Sequence, residues 1–190
     1  MFKELVLQNR TYRRFDQAHT IDEATLRELV DLARNVASAS NRQPLKYILS
    51  CDPEKNARIF PQLGFAGALK EWPNGPAEGE RPVAYIVILL DTQIAKATDC
   101  DHGVAAQTIL LGASEKGLGG CMHGSTKKDA LRQAINIPEQ YEILLVISLG
   151  KPSEKVFLEP LPADGAINYW RDAESGHHVP KRALNDIIIG

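Results

Sequence analysis

The chain has 190 residues, a formal net charge of -2 and a hydrophobic content of 44%. These values fit one globular domain over residues 1–190 and argue against non-specific nucleic-acid binding. The longest apolar run, Val83 to Leu90, is too short to span a bilayer, so no membrane association is expected.

The start, Met1-Phe2-Lys3-Glu4, lacks the apolar core of a signal peptide, and a cytoplasmic location is expected. Residues 2–9 predict a short helix with Phe2, Leu5 and Val6 on one side. Three arginines follow within five residues, in Arg10-Thr11-Tyr12-Arg13-Arg14. In a chain with balanced charge this is a local concentration of donors suited to an anion, although solvated arginines at a helix end would look the same. Thr20 with Glu23 reads as a capping box, and Leu26, Leu29, Val30, Ala33, Val36 and Ala37 recur at helical spacing up to the Ala37–Ser40 stretch. Pro44 biases Gln43 toward extended geometry. Lys46 to Cys51 predicts a strand, and Pro53 to Phe60 a short helix.

Residues 61–82 are broken repeatedly by proline and glycine and form a lid-like loop, in which Phe65 and Trp72 either cover a ligand or pin the loop to the body. Val83 to Leu90 reads as a central strand covered on both faces. Asp101 caps a very apolar helix running to about Lys116, buried on more than one side, with Gly117 as its C-terminal stop. The glycines of Gly117–Gly124 lack the spacing and position of a dinucleotide fingerprint. They read as a helix-to-strand turn whose backbone can approach a flat ligand. Ser125 or Thr126 starts a helix ending near Ile135, and Glu142 to Leu149 is a second buried strand. Residues 153–190 form a C-terminal extension with Tyr169, Trp170 and the run Ile187-Ile188-Ile189, which must be covered, by a partner subunit in preference to the chain itself.

No metal site is expected. The three cysteines, Cys51, Cys100 and Cys121, form no CxxC pair. Neighbours in Asp99-Cys100-Asp101-His102 cannot all face one ion, His177-His178 reads as a surface or packing pair, and Cys121 as a small apolar filler.

Six segments taken in order resemble the nitroreductase family of FMN-dependent oxidoreductases: Asn9–Phe15, Ala33–Pro44, Asp101–Gln107, Gly117–Gly124, Ile147–Pro152 and Lys181–Leu184. The resemblance implies an α+β fold, a mostly antiparallel sheet flanked by helices. It also implies an intertwined homodimer with FMN at the interface and a C-terminal arm crossing to the partner. It assigns Arg10 and Thr11 to the FMN phosphate or ribityl end and Arg13 to the pyrimidine side of the ring. Ser38, Ala39 and Asn41, with Gln43 beside them, are assigned to the stretch that packs on FMN from the other subunit. Met122, His123 and Gly124 lie beside the ring, and Lys181 and Arg182 toward the phosphate. Asn9, Ala37 and Met122-His123 depart from the common family pattern.

The implied activity passes hydride from NADH or NADPH through FMN to a nitroaromatic, quinone or similar acceptor, with no side-chain acid or base. The alternatives are flavin fragmentation, dehalogenation or ring dehydrogenation on the same fold, or a non-enzymatic flavin-binding protein.

Overall fold

The structure is a computed structural model that describes residues 2–70 and 72–190. A mostly antiparallel sheet is built around β5 (Tyr141–Pro152). One edge of β5 pairs with β3 (Ala84–Asp91), which in turn pairs with β2 (Leu45–Ser50). The other edge pairs with β4 (Gly119–His123) and then with the two-residue β1 (Phe15–Asp16). Every pairing in this sheet is antiparallel.

The expected double coverage of β3 is present, and the period-two alternation of its side chains divides the core. Ala84, Ile86 and Ile88 face α2 (Glu23–Arg34) and α4 (Asp101–Glu115), packing with Leu26, Leu29, Ala105 and Ile109. Tyr85, Val87 and Leu89 face the other layer, where α3 (Pro53–Ile59) and α5 (Lys128–Ala134) contribute Ile59 and Leu131. The helix α1 (Phe2–Gln8) lies outside both clusters and leaves Phe2 and Leu7 exposed.

Several boundaries differ from the sequence expectations, each for a local reason. Helix α2 is capped by Asp22 rather than Thr20: the Asp22 carboxylate accepts from the Thr25 backbone N–H at 2.8 Å. That bond holds the Asp22 carboxyl below its usual range. The helix ends early at Arg34, because the Asn35 side chain donates to the Asp31 carbonyl and breaks the ladder. Gln43 adopts a positive φ of 51° instead of extended geometry. Asp101 begins α4 without capping it. Its carboxylate is turned to the 38–39 segment, and burial on α4 is confined to one side, with Val104 exposed. Helix α5 starts at Lys128, since Thr126 is held in a bridge to Leu63.

The C-terminal extension contains a second sheet that the sequence pattern did not reveal. Here β6 (Val156–Pro160) runs parallel to β8 (His177–Lys181), and β7 (Trp170–Arg171) pairs antiparallel on the far side. Pro180 sits in β8 beyond the reach of β7, so its missing N–H breaks no ladder on that side. After β8 the chain ends with Ile187, Ile188 and Ile189 exposed.

Candidate functional site

The arginine segment is held as an extended strip along the open edge of β4. Thr11 forms a parallel bridge to Gly120, and the Tyr12 N–H donates to the Gly120 carbonyl at 3.0 Å. The backbone is fixed from beneath by Glu154, whose side chain is only 2% exposed. One carboxylate oxygen of Glu154 accepts from the backbone N–H groups of Arg13 and Arg14, and the other pairs with Arg171 Nη2 at 2.7 Å. The three arginines then diverge. Arg10 reaches back to the Val6 carbonyl at 2.7 Å. Arg13 places its guanidinium over the Tyr169 ring at 5.0 Å and donates to His177 Nε2 at 3.3 Å. Arg14 pairs with Glu80 at 3.2 Å and is no part of the cavity described next.

Arg10, Thr11, Arg13 and Lys181 line one cavity of about 310 Å³, closed on its far side by Tyr169 and His177 from the C-terminal extension. Among the described residues no carboxylate lines it. Because Arg13 can only donate, His177 Nε2 is the acceptor, and the ring proton of neutral His177 sits on Nδ1. Burial, reinforced by Arg13, lowers the His177 imidazole to about 4, so the ring is neutral at pH 7. The Nδ1 of His177 and the Nε atoms of Arg10 and Arg13 are buried without a partner among the described residues. A cavity with three orphaned donors, two arginines and a lysine suits an anionic, acceptor-rich ligand such as a phosphate ester or the carbonyl edge of a flavin. Arg182 is exposed and outside the lining.

The 38–43 segment is a separate feature. The Ser38 hydroxyl donates to Asp101 Oδ2 at 2.6 Å, and the Ala39 N–H to Oδ1 at 2.9 Å. The Ser38 oxygen in turn accepts from the Gln43 N–H at 2.9 Å. Ser40, Asn41 and Gln43 all take positive φ, a strained backbone that these bonds hold in place. Burial and the Asp101 charge push the nearby Tyr47 phenol up to about 12. Ser38 and Gln43 line a cavity of about 140 Å³ that shares no residue with the arginine cavity. One chain therefore does not bring these two groups of expected site residues together.

The Gly117–Gly124 segment is mostly strand rather than turn. Its glycines accommodate the chain's own packing, not only a ligand. A Cβ on Gly120 would lie 2.5 Å from the Ser148 carbonyl, and one on Gly119 would strike the Tyr12 ring. Since the Gly120 carbonyl faces the open edge of β4, strand alternation turns the backbone N–H of Met122 to that same edge. The His123 side chain is internal. Its Nδ1 meets the Gly64 carbonyl at 3.0 Å and its Nε2 the Ser148 hydroxyl at 2.9 Å. Burial lowers it to about 4. Gly124 follows at the exposed end of β4.

The aromatics of the 61–82 loop both make contacts with the body. Phe65 meets the His123 ring edge-on at 4.7 Å, and Trp72 lies under the guanidinium groups of Arg171 at 4.7 Å and Arg14 at 5.7 Å. Tyr169, Glu154, Arg171 and His177 are the residues that sequence reasoning did not assign to the site. They stand more than 140 positions from Arg13, and no local pattern links them to it.

The model of the nitroreductase family matches residues 6–151. A protein of Archaeoglobus fulgidus, provisionally named NADH dehydrogenase/NAD(P)H nitroreductase, is 28% identical over 176 residues, covering 87% of this chain and 92% of its own. The NADPH-flavin oxidoreductase of Vibrio harveyi is 24% identical over 183 residues, covering 87% of this chain and 72% of its own. Among solved structures, a nitroreductase family protein of Streptococcus pneumoniae superposes with a TM-score of 0.68 at 19% identity, over 86% of this chain and 97% of that one. A provisionally named nitroreductase of Exiguobacterium sibiricum, solved with FMN, gives 0.67 at 17% identity, over 80% of this chain and 89% of that one.

Proposed function

The chain belongs to the nitroreductase family, and from that premise we propose that it is an FMN-dependent NAD(P)H oxidoreductase acting on nitroaromatics, quinones or similar electron-poor rings. The observation that carries the proposal is the arginine cavity, lined by no carboxylate among the described residues, with its orphaned donors. When bound, FMN supplies hydride acceptance from NAD(P)H and onward reduction of the acceptor, in two half-reactions that use one site alternately. Arg10, Thr11 and Lys181 would hold the phosphate end. Arg13, its guanidinium backed by Tyr169 and His177, would supply donors to the carbonyl groups of the flavin. The backbone N–H of Met122, at the open edge of β4, would be a further donor to the flavin. Glu154 sets the position of Arg13 through the backbone.

The second half of the site comes from a second copy of the chain, through the strained turn at Ser38, Ala39, Asn41 and Gln43. The separation of this turn from the arginine cavity within one chain supports that arrangement, as do exposed Phe2, Val104 and Ile187 to Ile189. Steady-state kinetics with varied NAD(P)H and a quinone test the alternation: parallel double-reciprocal lines are expected, whereas intersecting lines would exclude a shared site used in turn.

A further inference from the structure

A third cavity lies away from both groups of expected site residues, between the two ends of the 61–82 loop. It has a volume of about 400 Å³, within the range of small-molecule sites. Phe60 and Pro61 wall it where the loop begins, and Arg81 and Pro82 where it ends. Tyr85 lines it from β3, and Cys51 from the end of β2. Two of its polar side chains, Arg81 and Tyr85, keep donors without partners among the described residues. Arg81 lies over the face of Phe60 at 4.7 Å, its Nε is buried with no hydrogen bond, and it forms no ion pair among the described residues. This sets it apart from Arg14 and Arg171, which are both paired with glutamates. The Tyr85 hydroxyl also makes no hydrogen bond among the described residues. Burial pushes this phenol up, so it remains a donor throughout the working pH range. The amides that border the cavity are already engaged: Gln17 Oε1 accepts from two backbone N–H groups, and Asn56 bonds Ser50 and the Val83 carbonyl. No carboxylate lines the space among the described residues.

We propose that this cavity is a binding site for a small aromatic carboxylate, its ring against Phe60 and Pro82 and its carboxylate between Arg81 and Tyr85. A half-buried guanidinium whose Nε has no partner and which has no counter-ion among the described residues calls for an anion, and the apolar walls call for a planar body. Such a ligand would add to the contact that Arg81 already makes with Phe60 between the two ends of the loop that carries Phe65 and Trp72.

Cys51 makes the site testable without reference to catalysis. FMN-saturated protein is treated with iodoacetamide over a benzoate series, and alkylation of each cysteine is followed by peptide mass spectrometry. Exposed Cys100 serves as the internal control and buried Cys121 as the indicator of folding. Benzoate should slow alkylation of Cys51 saturably and leave Cys100 unchanged. Arg81→Gln should weaken that protection about tenfold, the loss expected from one charge-assisted hydrogen bond. Tyr85→Phe, which keeps the ring and the packing, should weaken it about threefold. If Arg81→Gln exposes Cys121, Tyr85→Phe alone decides. Undiminished protection in the folded variants, no protection in the native protein, or a Cys51 inert from the outset because the chain or its partner fills the cavity would each overturn the proposal.

Discussion

Replacing Glu154 should cost more stability than any other single change near the arginine cavity. Its carboxylate is almost fully enclosed, bonds the backbone N–H groups of Arg13 and Arg14, and faces an Arg171 guanidinium that is itself 14% exposed. Burial lowers Arg171 from the usual arginine range, and Glu154 is the group that opposes that shift. Glu154→Ala removes the acceptor of two backbone donors, at about 1 kcal/mol each, and leaves three arginines with one fewer counter-charge. The total should reach about 4 kcal/mol, within the span measured for breaking buried pairs. Glu154→Gln keeps an oxygen for the two N–H groups but loses the charge and the acceptor for Arg171, so about 2 kcal/mol is expected. Urea unfolding at fixed protein concentration, followed by circular dichroism, reads both. With a slope of about 2 kcal/mol per molar, the midpoints should fall by about 2 M and 1 M. A shift below about 0.5 M for Glu154→Ala would refute the claim that this carboxylate anchors the segment.

Gly120→Ala should destabilise by about 1–3 kcal/mol in the same assay, because the added methyl meets the rigid Ser148 carbonyl rather than a mobile side chain. Stability should also fall as pH drops from 6.5 toward 4. His123 is lowered to about 4 in the folded chain against an ordinary 6.5, so the unfolded chain binds the proton first. The neutral form therefore contributes fully above 6.5, and about 3 kcal/mol is lost by pH 4. His177 adds a loss of the same sign. His178 is raised by Asp172 and Glu159, so it acts oppositely, its contribution disappearing as pH rises through its folded value. Urea midpoints across pH 4–8 check the net slope, and a flat profile would contradict the buried neutral imidazoles. Arg10→Ala should weaken FMN binding about tenfold in a fluorescence titration. Arg13→Ala should slow FMN reduction more than it weakens binding. Equal, negligible effects of both would return the arginines to solvent-facing roles.

The sheet and its two helical layers were legible because continuous apolar runs and helical spacing report burial directly, as at Val83–Leu90 and Leu26–Ala33. Caps and turns were less legible. Thr20 and Asp22 both satisfy a capping pattern, and only the folded backbone decides that the Asp22 oxygen meets the Thr25 N–H. Asp101 looked like a cap from its position before an apolar helix, yet its carboxylate serves Ser38 and Ala39, 62 or 63 positions away. The C-terminal sheet escaped notice because strands of five and two residues, interrupted by Pro160 and Pro180, carry no clear alternation. The arginine segment was visible as local charge density. Its counterparts Glu154, Tyr169, Arg171 and His177 lie outside the family match and are joined to it only by folding.

The proposed activity requires FMN to occupy the arginine cavity and to take electrons from a nicotinamide. The direct measurement is the visible spectrum of the purified protein, supplemented with FMN where needed, under anaerobic titration with NADH and with NADPH. Bound-flavin absorbance that bleaches with at least one of the two and returns on adding a quinone is the predicted result. A protein that retains no FMN at micromolar concentrations, or whose bound FMN neither nicotinamide reduces, would contradict it.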